Sequence, residues 1–275
     1  MKKIQLGKSK EQIPILGQGT WGISYKRNKQ HYELWKKSLR AGIELGMTHI
    51  DTAELYGMGT SERVVGEVIA EYERDELFIT SKLFPKHFGS NAMKKACDKS
   101  LRRLNTKYLD LYLVHFPSFV APKIKKHMRV MEDLLKEGKT RYIGVSNHSV
   151  AQFKKAQSLL KNAELVTNQL QASIISQKHI HKSLPYYQKE GITFTAYSPL
   201  GHRGLTHLTR EIENKLVQLS KRYNASTQQI AIAWLINHDN VITIPKAVQI
   251  DHVEANAKAA DIILTDQELK LLYNL

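Results

Sequence analysis

Eight short runs rich in β-branched and apolar residues recur along the chain, near 15–20, 47–51, 77–81, 110–115, 141–146, 165–169, 193–197 and 241–244, with stretches of helical spacing between them. This alternation restricts the fold more than any other feature. A strand that is followed by a helix and then by another strand returns parallel to the first, because such crossovers are almost always right-handed. Eight of these units within 275 residues predict an α/β fold, a parallel (β/α)8 TIM barrel formed by residues 1–275 as a single domain. Ahead of the barrel, Ile4-Gln5-Leu6, a polar turn over Gly7-Lys8-Ser9-Lys10 and the run Ile13-Pro14-Ile15-Leu16 predict an N-terminal β-hairpin. Two helices, 209–222 and 226–238, fit between the last two strands, so extra helices are expected near the C-terminus.

The punctuation agrees. Trp35, Leu39 and Ile43 recur every four residues up to Gly46, a helix stop, and Gly138 ends the stretch from Met128 to Leu135. Ser149 with Gln152, and Ser226 with Gln229, form capping-box patterns that open two further helices. No linker, low-complexity tract, secretory h-region or run of membrane-spanning length interrupts the chain, which reads as soluble and cytoplasmic. The single cysteine excludes an internal disulfide, and Cys97 shares a helical face with Met93, Ser100, Leu101 and Leu104, as a buried structural thiol does.

Charge is the one unusual bulk property, with 41 Lys and Arg against 26 Asp and Glu, a net +15. The densest basic run, Lys123 to Arg129, keeps Ile124, Met128, Met131 and Leu135 at helical spacing with cations between them, the pattern of a solvated helix face. Basic strands interleaved with aromatics and zinc-ligand spacings are both missing from the sequence, so no nucleic-acid partner and no metal are expected. Attraction to phosphorylated or carboxylated small molecules is the milder reading of the same charge.

The ends of the strands carry the functional signal. An apolar run stops at Asp51 and Tyr56 follows five residues later. A carboxylate at the mouth of a buried strand requires a cation. Lys82, His115, Asn147, Gln169, Tyr197 and Lys246 stand at the ends of other runs, so a barrel would ring them around one mouth, where active sites of this fold are built. A competing motif, Gly17-Gln18-Gly19-Thr20-Trp21-Gly22, matches G-x-G-x-x-G, but no helix opens at its third glycine and the first acid of the following strand, Asp51, lies 29 positions beyond Gly22. It is read as a coincidence, which leaves Trp21 free to line a pocket.

An acid, a tyrosine, a lysine and a histidine have a coherent joint use. A tyrosine, ordinarily with a pKa of about 10, can donate a proton near neutrality if an adjacent ammonium lowers that value, and a carboxylate keeps the ammonium charged. Tyr56 is then the donor, Lys82 its neighbour, Asp51 the anchor, and His115 the group that orients a carbonyl oxygen. Reduction by such a site needs a hydride source, a nicotinamide.

These residues, with the stretches that contain them, resemble the aldo-keto reductase family over nearly the whole chain. The matching segments are Ile50-Asp51-Thr52-Ala53 through Tyr56-Gly57, Thr80-Ser81-Lys82, Leu111 through Pro117, Ile143-Gly144-Val145-Ser146-Asn147, Asn168-Gln169, Ala196 through Gly201, and Ile244-Pro245-Lys246. The resemblance implies a catalytic tetrad of Asp51, Tyr56, Lys82 and His115. It implies that Ser146, Asn147 and Gln169 bind the nicotinamide carboxamide, that Tyr197 stacks on its ring, and that Ser198 and Leu200 lie along the pyrophosphate. It assigns Trp21, Phe84 and Phe116 to the substrate pocket. Where relatives selective for the phosphorylated cofactor show Ser, Arg and Glu-Asn after the last strand, this chain has Ala247, His252, Ala255 and Asn256. Lys246, His252 and Asn256 are therefore the candidates for its adenosine end, with NADP(H) favoured and NAD(H) admitted. His148 and Met47 stand where the family commonly has aromatic residues.

The function implied is a monomeric NAD(P)H-dependent reductase of aldehydes, ketones or sugars. The segment from Phe116 to Pro122 is short and the chain ends at Leu275 without a closing tail, so an open pocket of broad specificity is expected. The alternative is a cofactor-binding regulatory subunit, since the family resembled includes potassium-channel β subunits.

Overall fold

The computed structural model describes residues 1–273 except Arg27, Lys86, Phe88, residues 118–120 and His207, and of residues 121–123 it describes only the backbone. The short loop after Phe116 and the end at Leu275 thus lie outside the described residues. The hairpin pairs β1 (Lys3–Gln5) with β2 (Gln12–Pro14), Ile4 opposite Ile13. Eight parallel strands follow in sequential order: β3 (Gln18–Gly19), β4 (His49–Asp51), β5 (Phe78–Leu83), β6 (Leu109–Val114), β7 (Thr140–Ser146), β8 (Leu165–Gln171), β9 (Thr193–Tyr197) and β10 (Val241–Thr243). A parallel bridge between Leu16 and Thr243, with Gly17 N–H donating to Thr243 O at 2.9 Å and Gly19 N–H to Pro245 O at 3.1 Å, joins the last strand to the first. The expected eight-stranded (β/α)8 barrel is the fold observed.

This seam explains the Gly-x-Gly motif. A Cβ on Gly19 would lie 2.7 Å from Ile244 O, and one on Gly17 would lie 2.7 Å from His49 Nδ1. The two glycines allow strands to approach, and no helix opens after them; α1 spans Lys29–Glu44.

Alternation along the strands separates two cores. Ile79 and Leu83 of β5 and Tyr112 and Val114 of β6 pack outward among the helices. Phe78, Leu111 and Leu113 point inward, with Val166 and Ile242, and are closed off by Leu6 and Ile13 of the hairpin. Gly7 N–H ties the hairpin turn to Thr193 Oγ1 at 2.8 Å. Above this apolar plug the interior turns polar, with His49 Nε2 and Thr80 Oγ1 3.0 Å apart and Thr167 Oγ1 2.8 Å from Thr195 Oγ1. Most of these buried polar side chains find partners on neighbouring strands.

The helices begin and end where the sequence marks them. Capping boxes close at Ser149/Gln152, Ser226/Gln229 and Thr265/Glu268, opening helices at Val150–Gln157, Thr227–Ile236 and Asp266–Leu271. The two helices expected between the last two strands are Arg210–Tyr223 and Thr227–Ile236. On the helix at Ala121–Lys136, Met128 and Met131 are buried while Lys125, Lys126 and Arg129 are exposed, the solvated face the charge pattern implied. Among the described residues no helix is long and apolar enough to cross a membrane.

Candidate active site

Parallel strands in one register deliver their C-terminal ends to one face, and Asp51, Lys82, Ser146 and Gln169 arrive there from β4, β5, β7 and β8. Lys82 is fully buried and Asp51 is 2% exposed. The ammonium donates to Asp51 Oδ1 at 2.5 Å, to Thr52 O at 2.9 Å and to Tyr56 OH at 3.3 Å. Gln169 Nε2 donates to the second carboxylate oxygen of Asp51 at 2.7 Å. The cation that Asp51 required is therefore Lys82. Burial alone would lower the Lys82 pKa, but the Asp51 carboxylate and the Tyr56 oxygen outweigh it and raise the value, so the ammonium stays charged.

Tyr56 behaves differently from the sequence argument. Burial pushes its hydroxyl above the ordinary value, Asp51 adds to the rise, and Lys82 pulls downward without reversing it. The adjacent ammonium does not lower the tyrosine pKa on balance, because removing the phenol from water costs more than one shared cation returns.

His115 is held neutral, with its pKa pushed down to about 3 by burial and by the charge of Lys82. Its Nδ1 is buried without a hydrogen-bond partner among the described residues. Phe116 stacks on its ring at 4.4 Å and 10°, and Tyr56 meets it edge-on at 5.9 Å. Asn147 Nδ2 donates to His115 O at 3.0 Å and to Ser146 Oγ at 3.1 Å, while Tyr197 OH donates to Asn147 Oδ1 at 2.9 Å. Asn147 and Ser198 both hold left-handed backbone, φ 61° and 53°, at the ends of β7 and β9. Such backbone costs energy in non-glycine residues and collects where function fixes the chain.

A cleft of about 660 Å³ opens over these groups. Asp51, Tyr56, His115, Ser146, Asn147 and Gln169 line its floor, and Tyr197, Ser198, Leu200 and Lys246 line one wall. Trp21, 58% exposed, and Phe116 form part of the rim together with Met58, 73% exposed. Trp21 meets His202 edge-on at 6.0 Å. Three of the residues assigned from sequence to the substrate pocket or the cofactor lie outside the cleft lining. Phe84, expected in the substrate pocket, lies outside the cleft lining, because the chain turns away at the end of β5 and its backbone N–H bonds to Glu54. His252, in the helix Ile250–Lys258, is exposed and lies outside the cleft, as does the buried Asn256 of the same helix.

The donor set fits a nicotinamide dinucleotide. Amide side chains of Asn147 and Gln169 suit a carboxamide, the Tyr197 ring suits a planar heterocycle, and Lys246 supplies a cation for phosphate at the cleft wall.

Sequence reasoning missed a buried hydroxyl chain beneath the site. Ser61 Oγ donates to Thr20 Oγ1 at 2.7 Å and lies 2.9 Å from Thr52 Oγ1, and Thr20 Oγ1 donates to Asp51 O at 2.9 Å. It steadies the backbone of Asp51 and Thr52, whose carbonyl holds Lys82. Isolated Ser and Thr residues carry no spacing signal for such long-range contacts.

A barrel with a buried, charged lysine and carboxylate under an apolar-walled cleft is an enzyme scaffold, and comparison with known proteins gives its class. A sequence profile described as the Aldo/keto reductase family matches residues 15–275. The chain is 38% identical over 261 residues to the methylglyoxal reductase YeaE of Escherichia coli (strain K12), covering 94% of this chain and 90% of that one. It is 37% identical over 238 residues to the glyoxal reductase of Bacillus subtilis (strain 168), covering 85% and 80%. The crystal structure of an aldo/keto reductase from Klebsiella pneumoniae in complex with NADP and acetate superposes with a TM-score of 0.89 at 35% identity, covering 98% of this chain and 94% of that one. The chain belongs to the aldo/keto reductase family and is an oxidoreductase. The relatives named are reductases, and none supports the channel-subunit alternative.

Proposed function

We propose that the protein is an NADP(H)-dependent reductase of small aldehydes and ketones, 2-oxoaldehydes of the methylglyoxal type included, with Tyr56 as proton donor. The observation that carries this reading is the contact of Tyr56 OH with a Lys82 ammonium that is itself fixed on Asp51, at the floor of the cleft. The reductase relatives support the substrate class, and the NADP bound to the Klebsiella protein supports the cofactor.

Bound NADPH supplies the hydride. The protein manages the proton and the position of the carbonyl. Because burial raises the Tyr56 pKa, the resident form at neutral pH is the protonated phenol, the form a donor needs. As negative charge grows on the carbonyl oxygen, Tyr56 OH gives up its proton to it, and Lys82 stabilises the phenolate left behind. Asp51 and Gln169 hold Lys82 and Asp51 in turn, so no reorganisation is needed when charge develops. Neutral His115 donates a hydrogen bond to the same oxygen and fixes its direction, and Phe116 keeps the imidazole in plane. Ser146, Asn147 and Gln169 take the carboxamide, Tyr197 the ring, Ser198 and Leu200 the pyrophosphate, and Lys246 with His252 and Asn256 the adenosine phosphate.

The exposed rim of Trp21, Met58 and Phe116 gives apolar contact with little enclosure, which favours broad specificity. The same proposal includes a cytoplasmic monomer, checked by sedimentation and cell fractionation. The functional test is NADPH oxidation against aldehydes of increasing size, ketones, sugars and methylglyoxal. Turnover of several with a spread under about a thousandfold, some 4 kcal/mol, is expected. Absence of NADPH oxidation with every carbonyl offered would sink the reading.

A further inference from the structure

Glu54 lies in the turn between Asp51 and Tyr56, outside the cleft lining. Its side chain is nonetheless only 12% exposed, and Oε1 accepts a hydrogen bond from the backbone N–H of Phe84 at 2.6 Å. His87 Nε2 stands 3.1 Å from each carboxylate oxygen. The turn is closed by Tyr56 N–H donating to Ala53 O at 3.0 Å, so Glu54 sits inside the hydrogen-bonded loop that fixes the tyrosine and cannot shift apart from it. On the other side, β5 ends at Leu83, and Phe84 is the residue at which the strand that carries Lys82 leaves the sheet. One carboxylate thus ties the loop of the tyrosine to the strand of the lysine by a charge-assisted hydrogen bond.

The contact this tie governs is the longest of the Lys82 ammonium, 3.3 Å to Tyr56 OH against 2.5 Å to Asp51. Polar contacts of about 3.6 Å no longer act as hydrogen bonds. A drift of a few tenths of an ångström between the two loops would therefore disconnect Tyr56 while leaving the Lys82–Asp51 pair whole.

We infer that Glu54 is a positioning residue for carbonyl reduction, holding Tyr56 in register with Lys82 through the backbone of Phe84. The inference rests on the assignment of Tyr56 as proton donor. Glu54→Gln keeps an acceptor oxygen for the Phe84 N–H, and Glu54→Ala does not. In the alanine variant kcat falls by at least about 30-fold, with the aldehyde KM and the NADPH Kd within about threefold of wild type. The glutamine variant keeps kcat within about threefold. The alkaline limb of the kcat profile moves in the alanine variant and stays in the glutamine variant, which a merely structural lesion would not produce.

Tyr56→Phe, measured beside them, separates the two claims. If Tyr56→Phe is inactive while Glu54→Ala turns over near the wild-type rate, the donor assignment stands and the role of Glu54 is overturned. An active Tyr56→Phe overturns both. Equal losses in the alanine and glutamine variants, or an alanine loss that comes with lost NADPH binding and lost cooperative unfolding, also overturn the role.

Discussion

Replacing Lys82 by methionine keeps the length of the side chain and removes its charge, leaving Asp51 buried at 2% exposure with Gln169 Nε2 as its remaining side-chain donor among the described residues. Breaking a buried ion pair from one side costs about 3–5 kcal/mol, because the remaining charge has lost both partner and water. In a domain of this size each kcal/mol lowers Tm by about 2–4 °C, so a fall of about 10 °C is expected at neutral pH. The sign of the pH dependence follows from the same residue. A carboxylate that has lost its cation away from water is relieved by taking up a proton, so the deficit against wild type should be largest at neutral pH and shrink on acidification. Urea unfolding of wild type, Lys82→Met and Lys82→Met/Asp51→Asn at several pH values measures this, and the double variant should recover part of the loss by removing the stranded charge. A Lys82→Met deficit below about 1 kcal/mol at neutral pH, or one that grows on acidification, would refute the argument.

Burial holds His49 and His148 down to about 4 and His115 down to about 3. The unfolded chain takes up protons near pH 6.5 and the folded chain does not, so this stability is full above 6.5 and is lost as pH falls, by about 3 kcal/mol for the three between pH 6.5 and 5.5. Unfolding free energies at those two pH values check it, and a rise on acidification would contradict it. Gly19→Ala sets a Cβ 2.7 Å from the Ile244 carbonyl at the barrel seam, and destabilisation of about 2–3 kcal/mol in the same assay is expected. Lys246→Ala should weaken NADPH about tenfold more than NADH, roughly 1.4 kcal/mol, and His252→Ala should do less, both read by fluorescence titration.

Legibility in the sequence followed the reach of the interactions. Asp51, Lys82, His115, Asn147, Gln169, Tyr197 and Lys246 could be found because each ends an apolar run, and parallel strands gather their ends at one mouth whatever the details of packing. The helix caps at Ser149 and Ser226 were legible because both partners lie within one turn. What sequence could not supply were contacts between residues far apart in the chain and the balance of opposing electrostatic effects. Phe84 matched a pocket position by its aromatic character, yet the turn after β5 places its backbone on Glu54 and outside the cleft lining. The hydroxyl chain of Thr20, Thr52 and Ser61 depends on the helix after the Tyr56 loop meeting two strand ends. The direction of the Tyr56 pKa required knowing how deeply the phenol is buried, since a neighbouring ammonium alone argued the opposite sign.

The central claim is that Tyr56 gives the proton while the remainder of the site binds and orients. Tyr56→Phe removes one oxygen and leaves the ring that faces His115. Steady-state reduction of methylglyoxal together with NADPH titration of the same preparation tests the claim directly. The kcat is expected to fall by at least about a hundredfold, while NADPH affinity stays within about twofold of wild type. A Tyr56→Phe enzyme that reduces methylglyoxal at the wild-type rate would contradict it.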